Sequence, residues 1–72
     1  MNKTDLIVLK DLEKASNGLQ HYTFHIRYKM KPSELVKSIL VLKKRNFIID
    51  DDSKVKITKE GKKYMKSLQE EL

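Results

Sequence analysis

The sequence predicts a mainly helical α+β domain, in which a helical core carries one small β-hairpin and all of residues 1–72 belong to a single unit. Three observations predict it. Apolar residues recur at helical spacing along three long stretches. The segment 47–57 is instead two short runs of strand formers around turn residues. Only one proline and two glycines interrupt 72 residues. A hydrophobic fraction of 39% is enough to offset the ordering entropy of a folded chain.

The first helix is expected over residues 4–16, with Thr4 as N-cap and Asn17-Gly18 as its stop, because glycine accepts the left-handed conformation that ends helices. At 100° per residue Val8, Leu9, Leu12 and Ala15 share one face. Ile7 falls nearly opposite, as an exposed apolar residue or an intermolecular contact. Residues 19–22 form a connecting strand or turn. A short helix follows over 23–30, with Thr23 as N-cap and Phe24, Ile26 and Met30 available for burial.

Pro32 suits the first turn of a third helix, where its missing N–H is harmless and its fixed φ is already helical. That helix is expected over 32–45. Leu35, Ile39 and Leu42 centre its apolar face, widened by Val36 and Leu40, while Ser33, Glu34, Lys37, Ser38, Val41, Lys44 and Arg45 collect on the other side. Asn46 tolerates the left-handed conformation and should end it. The hairpin is expected over 47–57, with Phe47-Ile48-Ile49 and Val55-Lys56-Ile57 as strands and Asp50 to Lys54 as the turn. Thr58 caps a last helix over 59–71, whose stripe of Tyr64, Met65, Leu68 and Leu72 includes Gly61, a site of close helix approach.

Composition excludes several function classes. Without cysteine there is neither a disulfide framework nor a thiolate metal site. The longest apolar run, Leu6 to Leu9, is too short for a signal peptide core or a membrane span, so the expected location is cytoplasmic. No glycine-rich phosphate loop, nucleophile with an adjacent base, or separated carboxylate pair appears, so an enzyme is not expected and no cofactor is implied. His21 and His25 sit four apart but lack further ligands at suitable spacing, and Asp50, Asp51 and Asp52 lack the glycine and closing glutamate of a calcium loop. No metal is expected.

The net charge of +6 is informative because of where it lies. The first twenty residues and residues 50–72 are each neutral. Residues 21–49 hold Arg27, Lys29, Lys31, Lys37, Lys43, Lys44 and Arg45 against Glu34 alone, and so carry the whole excess. Such segregation is what a polyanion-binding surface requires.

Two segments carry a resemblance. The stretch from Met30 through Lys31-Pro32-Ser33 and Leu35 to Leu42-Lys43-Lys44-Arg45-Asn46-Phe47-Ile48, followed by Ile57-Thr58-Lys59-Glu60-Gly61-Lys62, resembles the winged helix-turn-helix superfamily. The likeness is to small MarR- and PadR-type transcriptional regulators and covers nearly the whole chain. It departs from that pattern at Asn46, where glycine is usual, and in the three aspartates of the hairpin. The resemblance implies a three-helix core, a wing and a C-terminal helix, with the helix from Pro32 in the major groove of double-stranded DNA.

On that basis Ser33, Glu34, Lys37, Ser38 and Val41 are base-contact candidates. Lysine donates to guanine, serine serves either base type, glutamate accepts from cytosine, and valine touches a thymine methyl. Arg27, Lys29, Lys31, Lys44 and Arg45, with Lys54 and Lys56 on the wing, are phosphate-contact candidates. The function expected is a sequence-specific regulator acting as a homodimer within the nucleoid, with Ile7, Tyr64, Met65, Leu68 and Leu72 as candidate seam residues. Tyr64, Met65 and Leu68 equally suit the closure of the monomer core. Two alternatives stand beside it: a winged-helix module that docks a protein through its acidic wing, and a non-specific architectural DNA-binding protein.

Overall fold

The computed structural model describes residues 2–15, 17–51 and 54–70, with side chains as far as residue 68. The described elements run α1 (Lys3–Lys14), α2 (His21–Tyr28), α3 (Pro32–Lys44), β1 (Ile48–Asp51), β2 (Lys54–Ile57) and α4 (Lys59–Glu70). Mainly helical α+β is therefore the observed class, with one antiparallel two-stranded sheet.

The N-cap of α1 is Asn2 rather than Thr4. Its side chain accepts from the Asp5 backbone N–H at 2.9 Å, while the Asp5 carboxylate accepts from the Asn2 N–H at 3.2 Å, a reciprocal capping box. The helix also stops at Lys14, two residues before its expected end. Val8, Leu9 and Leu12 are fully buried as expected. Ile7 is not opposite the core; it is half-buried and packs against it. Gly18 has φ +88°, and it leads into Leu19, whose N–H and C=O both bond to Val55 of β2 at 2.9 and 2.8 Å. One residue thus adds a third rung to the hairpin, β1 lying on the other side of β2.

Helix α2 begins two residues before its expected start, and its N-cap position is Gln20, with no side-chain cap; Thr23 lies inside the helix. Phe24 is buried, but Ile26 is 70% exposed, which corrects its assignment to the core. Lys29 ends α2 in the left-handed conformation, at φ 53°, and lets the chain double back into α3 within three residues. Met30 anchors that turn by burial. His25 fixes it further, its Nδ1–H donating to the Met30 carbonyl at 2.8 Å.

Pro32 opens α3 as expected, and Leu35, Ile39 and Leu42 form its buried stripe. The helix ends in a Schellman motif. Asn46 N–H bonds to the Lys43 carbonyl and Phe47 N–H to the Leu42 carbonyl, both at 2.9 Å, with Asn46 at φ 67°. Asparagine can replace glycine there because it tolerates that region better than most side chains.

In the hairpin, Ile48 pairs with Ile57, Ile49 with Lys56, Asp50 with Val55 and Asp51 with Lys54. Asp50, Asp51 and Lys54 are therefore strand residues and not turn residues, a correction to the expected boundaries; Asp52 and Ser53 lie outside the described residues. Alternation puts Ile48 and Val55 into the core and Ile49 and Lys56 outside.

Thr58 locks α4 to the end of α3. Its hydroxyl donates to the Asn46 carbonyl at 2.6 Å and accepts from the Gly61 N–H at 3.1 Å. Met65 is buried, Tyr64 and Leu68 are half-buried against the same core, and Tyr64 stacks on Phe47 with ring centroids 4.7 Å apart. The expected intermolecular seam is thus largely committed within the monomer: Met65 belongs to the core, Ile7, Tyr64 and Leu68 pack on it, and Leu72 lies outside the described residues. No helix among the described residues is long and apolar enough to cross a membrane.

Candidate nucleic-acid interface

Burial of Leu35, Ile39 and Leu42 against α1 and β1 fixes which side of α3 looks outward. Ser33, Glu34, Lys37, Val41, Lys44 and Arg45 are all exposed, as the sequence suggests. Lys37 and Lys44 stand two turns apart on the side opposite the buried stripe. Lys29 and Lys31 are exposed in the preceding turn, and Lys54 and Lys56 are exposed on β2.

One expected contact is removed, and the cation of a second is engaged within the fold. Ser38 is only 2% exposed, so it cannot reach a base edge from this conformation. It lies three residues after Leu35 and four before Leu42, which is the spacing of the buried stripe itself. Its polarity suggested an outward position; the spacing was the better signal. Arg27 is the second. Its Nη1 donates to both oxygens of Asp11, at 2.9 and 3.0 Å, and so joins α2 to α1. Asp11 is buried, and removing its cationic partner would leave an uncompensated carboxylate. Arg27 is thus tied to Asp11 through Nη1, with half of its side chain still exposed.

The Asp11–Arg27 pair also acts on Tyr28. Partial desolvation, and then the negative charge and hydrogen bonding of Asp11, raise the phenol above its ordinary value, while Arg27 opposes them. A raised folded-state value means that the contribution to stability is fully present below the unfolded-state value and is lost as pH rises through the folded one. Tyr28 is therefore expected to ionise above the ordinary phenol range in an ultraviolet titration, and Asp11→Asn should move that step to lower pH. The same variant should cost about 1.5–3 kcal/mol in urea unfolding, the worth of hydrogen bonds to a charged group. An unchanged tyrosine titration in Asp11→Asn would show that the carboxylate does not act on Tyr28.

Two of the three hairpin aspartates lie in β1 among the described residues. Asp50 accepts a hydrogen bond from His21 Nε2 at 2.9 Å, Asp51 faces Lys54 across the ladder, and Asp52 lies outside the described residues. His21 is thus a link from the start of α2 to β1. Although Asp50 comes to His21, no group of three His, Cys, Asp or Glu side chains among the described residues is placed to hold a metal.

Beside the outward face lies a groove that sequence reasoning missed. It has a volume of about 180 Å³ and is walled by Pro32, Val36, Ile39 and Leu40 of α3, with His21 and His25 on one side and Lys43 and Asp50 at its rim. Val36 and Leu40, expected to widen the buried face, are 56% and 59% exposed here. The reason is their angular position: at 100° per residue they lie roughly 95° and 135° from the centre of the stripe that α3 packs against α1 and β1. No protein-family model, curated protein or solved structure matches this chain.

Proposed function

We propose that this chain is a winged helix-turn-helix domain that binds double-stranded DNA with α3 in the major groove, acting as a sequence-specific transcriptional regulator. The observation that carries this reading is the division of α3 into a buried stripe of Leu35, Ile39 and Leu42 and an exposed face bearing Ser33, Lys37 and Lys44. Its 13 residues make a rod of about 20 Å. A major groove about 12 Å wide admits such a helix.

The order of the elements supports the same reading. A short helix, a three-residue turn and an amphipathic helix are followed directly by a hairpin, and Leu19 pairs with the second strand of that hairpin. On this reading Ser33, Glu34, Lys37 and Val41 contact bases, while Lys29, Lys31, Lys44 and Arg45 hold phosphates. Lys54 and Lys56, exposed on β2, do the same from the wing. Two copies on a pseudo-palindromic site would double the phosphate contacts that one small domain can make. Since Met65 lies in the core, that seam must be built mainly from other residues.

Gel shifts with random and selected duplexes across a salt series test the proposal. With about six phosphates neutralised, affinity should fall roughly 10³-fold between 50 and 200 mM salt. Site selection should return a consensus; binding without one would assign the domain to the non-specific architectural class. Absence of binding at low salt would remove the DNA reading altogether.

A further inference from the structure

The outward face of α3 is polar, but its flank is not. Val36 and Leu40 are one helical turn apart, both more than half exposed, and both open onto the groove between α2, α3 and β1. Isolated exposed apolar side chains need no explanation, whereas two adjoining a concave apolar surface do. The size of the groove discriminates between occupants. At about 180 Å³ it is smaller than the roughly 300–1,000 Å³ that enclose a drug-sized molecule. It suits a single large apolar side chain, with Val36 and Leu40 extending the contact beyond it.

Charge then chooses the partner. Lys37, Lys43 and Lys44 flank this strip, Lys43 lining the groove itself, and these three cations outnumber Asp50, which also lines it. A second copy of this face would bring like charges together, which costs binding energy. We infer that this flank of α3 is a docking site for an acidic amphipathic helix of a partner protein, whose apolar residues, spaced three to four apart, seat on Val36, Leu40 and the groove while its carboxylates meet the lysines. Helix-in-groove recognition has this form: apolar anchors give the affinity and the charged flanks set orientation. The site adjoins the face assigned to DNA and shares Lys37 and Lys44 with it, so the two ligands would exclude each other. Peptide binding itself does not depend on the DNA reading.

The test uses the whole chain with isotope-labelled methyl groups and an 18-residue helical peptide containing leucines at positions i, i+4 and i+7 and glutamates on both flanks. A second peptide replaces the leucines by serine and keeps every charge. The leucine peptide should shift the Val36 and Leu40 methyl signals with a Kd on the order of 10–100 μM, and the serine peptide should bind at least tenfold more weakly. Val36→Ser/Leu40→Ser should abolish the binding while keeping the dispersed amide spectrum of the folded chain, because both side chains are exposed. Ile26→Ser, at an exposed residue outside the groove, should leave it intact. Equal binding of both peptides would reduce the effect to bulk charge and overturn the inference. So would unchanged binding in the double variant, or methyl shifts caused by duplex DNA but not by the leucine peptide at millimolar concentration.

Discussion

Gly61→Ala is expected to destabilise the fold by about 2–4 kcal/mol, although helix propensity alone predicts a gain of about 1 kcal/mol from the same change. Gly61 occupies the third position of α4, and a Cβ built there would overlap the Phe47 carbonyl oxygen and come within 2.7 Å of Ile57 Cγ1. The carbonyl cannot move aside cheaply. It accepts the Thr58 N–H at 2.9 Å, and Phe47 is held on its other side by its own N–H bond to Leu42 and by its stack on Tyr64. Relief of the overlap must therefore push α4 away from the hairpin, opening the contacts of Met65 and Tyr64. A domain of this length has about 4–11 kcal/mol of stability in all, so the loss is a large share of it. Thermal unfolding should show a midpoint lowered by roughly 10–25 °C. A midpoint equal to or above that of the parent chain would mean that α4 does not approach the hairpin this closely.

Lys37→Ala/Lys44→Ala is expected to weaken DNA binding about 100-fold at low salt, with Lys44 accounting for a fall in the salt dependence of about one counterion and Lys37 for a loss of base preference. The two ammonium groups lie two turns apart along the outward face of α3, roughly 10 Å along its axis. Both side chains are exposed, so stability should change by less than about 0.5 kcal/mol and the loss would belong to binding. A matched variant, Lys59→Ala/Lys66→Ala, removes the same charge from exposed positions of α4. It should lose only a few-fold. If the two double variants weakened binding equally, net charge rather than the face of α3 would be the determinant, and the assignment of α3 to the major groove would fail.

The sequence by itself determined the succession of elements, because each is marked by a local signal. Pro32 could only begin α3, Thr58 stood where a hydroxyl was needed ahead of α4, and Asn46 was the residue before the hairpin best able to take a positive φ. It determined the buried stripe of α3 as well, since Leu35, Ile39 and Leu42 repeat at helical spacing. The concentration of charge in residues 21–49 likewise needs no coordinates.

Only the tertiary structure decided which of those charges are free and which apolar residues are covered. Arg27 and Asp11 are 16 residues apart and meet because the fold brings the end of α2 to α1; no local pattern marks that pair. His21 and Asp50, 29 residues apart, meet because the start of α2 lies beside β1, a link that no local pattern marks. Val36 and Leu40 are expected from the sequence to widen the buried face, but at 100° per residue they fall roughly 95° and 135° from the centre of the Leu35, Ile39 and Leu42 stripe, and α2 covers them only in part. Periodicity fixes the faces of a helix, but the packing of its neighbours decides which face meets solvent.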